Sequence, residues 1–103
     1  MKTLATFLAA AACFTLAGAA QANEKLFQAS GCMACHSVDK KVLGPGLKDV
    51  AAKYRGNKNA EAELIQKVKA GSKGVWGDIP MTPNAHVKDE DIKTLVQWIL
   101  SIK

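Results

Sequence analysis

Arginine, aromatic residues and strand-like alternation are all scarce in this chain of 103 residues. Only one of its 14 basic residues is arginine, and its aromatic residues are two Trp, one Tyr and three Phe. Side chains that read base edges or stack on bases are therefore in short supply, so we expect no nucleic-acid partner despite the formal net charge of +5. No segment alternates apolar and polar residues with a period of two, which indicates an all-α fold.

The first 22 residues have the features of a secretory leader. Lys2 precedes an uncharged apolar stretch over residues 4–18, and Ala-Gln-Ala at 20–22 provides the small residues that a signal peptidase reads. We expect cleavage after Ala22, which leaves an exported chain, residues 23–103, without stable membrane insertion. The alternatives are an uncleaved anchor, although no basic stop-transfer cluster follows, and a lipid on Cys13, although the residues before it lack the expected Leu.

Apolar residues at spacings of three and four predict four helices in the rest of the chain. Their expected ranges are Glu24 to Gly31, Leu47 to Tyr54, Ala60 to Ala70 and Lys88 to Ile102. Between the last two helices, Gly71 to Val87 is rich in Gly and Pro, and a loop of that length usually serves a function. A domain of 81 residues also has little apolar core, so we expect a staple such as a disulfide, a metal or another buried group.

Cys32-Met33-Ala34-Cys35-His36 is the C-x-x-C-H sequence to which c-type haem is attached. Two thiols at this spacing reach the two vinyl groups of one porphyrin, and the adjacent imidazole becomes an axial ligand of the iron. Three alternatives use the same thiols. A thioredoxin-like site needs a preceding strand, a zinc site needs four ligands, and a disulfide leaves His36 without a role. The motif therefore predicts one covalently attached haem c, with His36 on the iron.

The long loop contains the candidate for the sixth ligand. A thioether in that position stabilises reduced iron, and Met33 lies inside the attachment motif, from which it cannot fold back over the opposite face of the ring. Met81 stands between Pro80 and Pro83, which stiffen a non-helical segment and can present one side chain to a fixed point. A methionine that only fills core space is the alternative.

These residues closely resemble those of bacterial class I cytochromes c of the c551/c8 group, which are small periplasmic monohaem carriers. The resemblance extends over residues 23–103, through Val-Leu-Gly-Pro-Gly-Leu-Lys-Asp-Val-Ala-Ala-Lys-Tyr, Gly-Val-Trp-Gly-Asp-Ile-Pro-Met-Thr-Pro-Asn and Leu-Val-Gln-Trp-Ile-Leu. It implies about four helices around one haem, thioethers at Cys32 and Cys35, and His36 and Met81 as iron ligands. It further implies crossing terminal helices, with Phe27 and Gly31 packed on Leu95 and Trp98.

The resemblance also implies supporting roles for four residues. The Pro45 carbonyl would hold the N–H of the axial imidazole, Trp76 would donate to a haem propionate, and Asn84 would lie near the Met81 sulfur. Lys67 stands near a propionate where many members have Arg, and its compact charge lacks the planar fork of Arg. Trp76 as a simple hydrophobic plug and Asn84 as a turn residue are the alternatives.

Three further positions depart from the family pattern. Asp78 and Thr82 occupy places that are commonly Pro, so the Met81 loop has less rigidity and an added carboxylate. His86 follows the loop where some members are one residue shorter. We interpret His86 as a surface titrating residue, with a rival axial ligand as the alternative.

The function that the resemblance implies is one-electron transfer, without enzymatic activity, by a monomer. Its redox partners would be a membrane donor, such as a cytochrome bc1-type complex, and an acceptor such as nitrite reductase, an oxidase or a peroxidase. A gas-binding or peroxidatic haem protein is one alternative, which requires an open sixth position. A dithiol oxidoreductase that uses Cys32 and Cys35 is the other.

Overall fold

Residues 23–103 are described by a computed structural model and contain four α-helices. Helix α1 covers residues 23–29, and the others are α2 (Leu47–Tyr54), α3 (Ala60–Ala70) and α4 (Asp89–Ser101). A short 3-10 helix, Cys32–Ala34, follows α1. This part of the chain has no strand, only isolated antiparallel bridges between His36 and Lys41 and between Ser72 and Met81. The predicted all-α class is confirmed, whereas the predicted leader lies outside the described residues.

The helix ends follow from local sequence. Gly31 and Gly71 have φ of 81° and 82°, a left-handed conformation that favours glycine, and they end the α1 and α3 regions. Helix α3 has Glu61 and Glu63 in its first turn and two lysines in its last, which suits the helix dipole. Asn59 occupies the N-cap position of α3, but its side chain makes no capping hydrogen bond.

The core is built around α4, which packs against both α2 and α3. Ile92 and Val96 are fully buried and join a cluster with Val50, Tyr54 and Leu64. A second cluster contains Phe27, Leu47 and Leu95, with Trp98 against it.

The expected contact of the terminal helices is confirmed for the aromatic residues, because the Phe27 and Trp98 ring centroids lie 5.6 Å apart. Gly31 has a different role from the one expected. A Cβ on it would meet no protein atom within 4 Å, so contact with another residue does not require a glycine here, whereas its left-handed backbone favours one.

Polar contacts join α3 to α4. Lys69 forms an ion pair with Asp89, with Nζ 3.0 Å from a carboxylate oxygen, and Gln97 donates to Glu61 over 3.2 Å. Both pairs are exposed, so each contributes little to stability. Within residues 23–103, no helix is sufficiently long and apolar to cross a membrane.

Candidate cofactor site

One cavity of about 500 Å³ lies between the helices and the two long loops. This volume falls within the range of sites for small molecules and cofactors. The cavity is lined by every residue that the sequence singled out as a ligand or support: Cys32, Cys35, His36, Pro45, Lys67, Trp76, Met81 and Asn84. The fold therefore brings together residues that are up to 52 positions apart in the chain.

The His36 imidazole is held from one side by the loop that follows it. Its Nδ1 lies 2.8 Å from the carbonyl oxygen of Pro45. Because a carbonyl only accepts, Nδ1 donates the proton, and the Nε2 lone pair is left available to a metal.

Gly44 completes this support. Its N–H donates to the Cys35 carbonyl over 2.7 Å, and a Cβ on it would lie only 2.8 Å from His36 Nδ1. The sequence shows a glycine directly before Pro45 but gave no reason to expect this clearance.

The two cysteines lie on the short 3-10 helix and directly after it. Both are free thiols, Cys32 half-buried and Cys35 exposed, and the His36 N–H donates to the Cys32 carbonyl over 3.0 Å. Burial raises the pKa of the Cys32 thiol, a backbone hydrogen bond lowers it, and the neighbouring Cys35 raises it. A raised pKa disfavours the thiolate that dithiol exchange requires.

No group of three or more His, Cys, Asp or Glu residues that could hold a metal ion occurs in residues 23–103.

Met81 is fixed through its backbone to the end of α3. The Met81 N–H donates to the Ser72 backbone carbonyl over 2.8 Å, and the Met81 carbonyl accepts from the Ser72 N–H over 3.0 Å. Gly71 permits this approach, because a Cβ there would lie 2.5 Å from the Met81 carbonyl oxygen. The half-buried Met81 therefore enters the cavity wall from a segment that is held on both sides of its Cα.

Asn84 anchors the same loop further along. Its side-chain amide donates to the carbonyls of Val68, over 3.0 Å, and Thr82, over 3.2 Å, while its backbone N–H also donates to Val68. Both amide hydrogens are thus engaged with the backbone. The structure places Asn84 in the cavity wall, as expected, but with hydrogen bonds that fix the loop and none to the Met81 sulfur.

Charge in the cavity wall is of one sign. Lys67 and Lys73 line it, whereas no Asp or Glu does, and Asp78 lies outside the lining. Trp76 also lines the cavity and is 40% exposed, with Lys53 Nζ 5.5 Å from the centroid of its ring. An apolar cavity with cationic groups at its wall fits a cofactor with a flat apolar body and carboxylate substituents, as haem has.

Comparison with known proteins identifies the family. Residues 20–103 match the sequence profile of the family described as Cytochrome c. The chain belongs to the cytochrome c family. It is 51% identical to the cytochrome c-552 of Nitrosomonas europaea, over all of both chains, and 56% identical to the cytochrome c-551 of Pseudomonas aeruginosa, over 82% of this chain and 80% of that one.

Solved structures agree with this assignment. The crystal structure of wild-type Nitrosomonas europaea cytochrome c552 matches with a TM-score of 0.76 and 51% identity, over 78% of this chain and 99% of that chain. This cytochrome therefore has the small all-α fold that the sequence predicted. It carries one covalently bound haem c with its iron, it transfers electrons, and its partners are redox proteins.

The cavity of this cytochrome opens to the surface at an apolar edge. We call this edge the apolar rim, and it consists of lining residues that are also exposed: Leu43, Val75, Trp76 and Ile79. Leu43 and Ile79 are 54% and 60% exposed and lie beside the space that the haem would occupy.

His86 also lines the cavity, and its Nε2 lies 3.1 Å from the carbonyl oxygen of Ser30. Nε2 therefore carries a proton and donates it, so this nitrogen does not serve as a metal ligand in this conformation. The sequence treated His86 as a surface titrating residue or a rival ligand, and it contained no signal for this contact.

Proposed function

We propose that this cytochrome is an exported one-electron carrier in which His36 and Met81 fill the two axial positions of the iron. The observation that supports the proposal is that His36 and Met81, whose side-chain types can bind iron, lie in the wall of one cavity and are each held by backbone contacts. Haem supplies the one-electron change between ferric and ferrous iron when it is bound. The protein's task is to keep the coordination the same in both states.

The remaining residues would hold the cofactor. Cys32 and Cys35 would form the two thioether links, and the Pro45 carbonyl would orient His36, because a metal-binding His usually donates its other N–H to an acceptor. Trp76 and Lys67 would face the propionates, since both are in the cavity wall and one offers an N–H while the other offers a positive charge. Asn84 would keep the Met81 loop on α3.

A saturated iron leaves no position for a substrate. Electron transfer needs neither a general acid nor a general base at the site, and we therefore propose a carrier and not an enzyme. A thioether ligand further favours the ferrous state, which raises the reduction potential.

The proposed location is the periplasm, reached through cleavage of the leader after Ala22. We propose that the carrier works as a monomer between a membrane donor, such as a cytochrome bc1-type complex, and an acceptor such as nitrite reductase, an oxidase or a peroxidase. The apolar rim would be the contact surface, extended by the exposed Val42 and Pro80. Lys40, Lys41 and Lys73 are exposed and would steer an acidic partner, whereas Lys48 is paired with Asp39 over 2.7 Å.

Three measurements on the exported protein test this proposal. Its intact mass should equal that of residues 23–103 plus one haem, and a mass equal to the polypeptide alone would exclude covalent attachment. The oxidised protein should show a sulfur-to-iron charge-transfer band, and the reduced protein should resist carbon monoxide at neutral pH. Rapid carbon monoxide binding by the unmodified protein would instead support the gas-binding or peroxidatic alternative.

A further inference from the structure

The hydrogen bonds of this cytochrome divide into two nearly separate networks. The N-terminal segment, residues 23–54, contains both cysteines and His36, and the C-terminal segment, residues 60–103, contains Met81. Within residues 23–103, a single hydrogen bond joins the two segments, and no ion pair does. That bond runs from His86 Nε2 to the carbonyl oxygen of Ser30, over 3.1 Å.

The acceptor end of this bond is firmly held. Ser30 is only 9% exposed, and its N–H donates to the Leu26 carbonyl over 2.9 Å, which closes the last turn of α1. Its own carbonyl belongs to the helix C-terminus, where carbonyls lack partners within the helix. Gly31 and Cys32 follow directly, so the bond ends beside the segment that carries the thiols.

The donor end is equally well fixed to the Met81 loop. The Val87 N–H donates to the Asn84 carbonyl over 3.1 Å, which closes a turn that contains His86. Asn84 is bonded in turn to Val68 and Thr82, and Met81 to Ser72. The His86 side chain is therefore connected to Met81 by a short stretch of chain whose conformation is fixed by hydrogen bonds.

We infer that His86 is a positioning residue for the sixth ligand: its bond to Ser30 holds the Met81 loop against the haem-bearing segment. This inference rests on the proposed axial role of Met81. When the Met81 loop separates from the segment that carries the cysteines, this hydrogen bond breaks. The net free energy of the bond therefore opposes dissociation of the Met81 sulfur from the iron by that motion. His86 acts on the iron only through the loop and does not bind it.

Competition by cyanide for the iron of the oxidised holoprotein measures this opening. Cyanide binds only after Met81 has left, so its apparent affinity scales with the open fraction. His86→Ala should lower the cyanide concentration at half-saturation by about two- to twelvefold, the factor that one neutral hydrogen bond supplies. His86→Leu, which fills similar space without a donor, should behave in the same way.

Two control variants isolate the hydrogen bond. His86→Gln places an N–H donor near the position of Nε2 and should stay within about twofold of the unmodified protein. Lys88→Ala changes an exposed neighbour whose side chain makes no hydrogen bond or ion pair in the described residues. This variant should leave the cyanide concentration at half-saturation unchanged. In all four variants the charge-transfer band should persist before cyanide is added.

The outcomes separate this inference from the proposed function. If His86→Ala and His86→Leu lower the denaturation midpoint but leave the cyanide midpoint at the unmodified value, His86 is only a structural residue and the inference is overturned. If the unmodified protein itself lacks the charge-transfer band, the axial role of Met81 fails first, and the inference falls with it.

Discussion

Gly44 lies against the imidazole of His36 so closely that no side chain fits between them. A Cβ built on Gly44 would be 2.8 Å from Nδ1 and 3.0 Å from Nε2 of that ring. The glycine and the Pro45 carbonyl therefore define the orientation of the imidazole together, one by leaving space and the other by accepting a hydrogen bond.

Gly44→Ala should displace the ring and weaken its bond to Pro45, at a cost of about 1–3 kcal/mol in stability, as is typical of overpacking. The reduction potential should shift as well, because the orientation of the axial imidazole changes. The matched control is Gly46→Ala, since the three atoms nearest to a Cβ there are backbone atoms of Asp39 and Lys40, at 3.2 to 3.3 Å, and not the His36 ring. Equal potentials in the two variants would contradict a steric role for Gly44.

Met81→Ala should remove the thioether from the iron. We expect the reduction potential to fall by on the order of 0.1 V, within the roughly 0.8 V range that axial ligands control. The charge-transfer band of the oxidised protein should disappear, and the reduced protein should bind carbon monoxide readily. Met33→Ala is the control, because that methionine is 48% exposed and does not line the cavity. A band that survives Met81→Ala would identify another ligand.

Trp98→Ala should destabilise the contact between α1 and α4. Its ring is inclined at 55° to that of Phe27, a geometry that adds about 0.5–1.5 kcal/mol beyond buried area. Trp98 is only half-buried, so we expect the free energy of unfolding to fall by about 3 kcal/mol, near the lower end of the range for Trp→Ala in a core. Denaturant unfolding of the holoprotein measures this change. Trp98→Phe should recover most of it. A loss below about 1 kcal/mol for the alanine variant would refute the packing role.

Electron transfer to an acidic partner should slow by about tenfold as salt is raised, because screening weakens steering by exposed lysines. Lys41→Ala and Lys73→Ala should reduce both the rate at low salt and its dependence on salt, measured by stopped-flow kinetics. Lys93→Ala, on the exposed surface of α4, is the control. A rate that is indifferent to ionic strength would leave the apolar rim as the only docking determinant.

Much of the fold was predictable because its signals are local. The spacing of Leu47, Val50 and Tyr54 predicted α2, and Gly71 correctly marked the end of α3. The ligand candidates were predictable because C-x-x-C-H and the proline-flanked Met81 are contiguous motifs. The observed cavity brings these residues together, although their roles on the iron remain predictions.

The parts that the sequence did not reveal depend on contacts between distant positions. The partners His86 and Ser30 are 56 residues apart, and neither belongs to a motif. The contact between Lys53 and the Trp76 ring is of the same kind. The clearance at Gly44 had a visible sign, a glycine directly before a proline, but only the folded loop shows what the missing side chain makes room for.

The near-separation of the two hydrogen-bond networks bears on how the chain reaches its native state. Since nearly every hydrogen bond of each network joins residues of its own stretch, forming either network closes few long loops, although helices of 8 to 13 residues gain most of their stability only when they pack together. We therefore expect the packing of apolar surfaces around the cavity, together with the single bond between Ser30 and His86, to be a late step of folding. We expect Cys32 and Cys35, which lie on the first stretch, to be most accessible before that collapse, and the chain to resist proteolysis fully only after it.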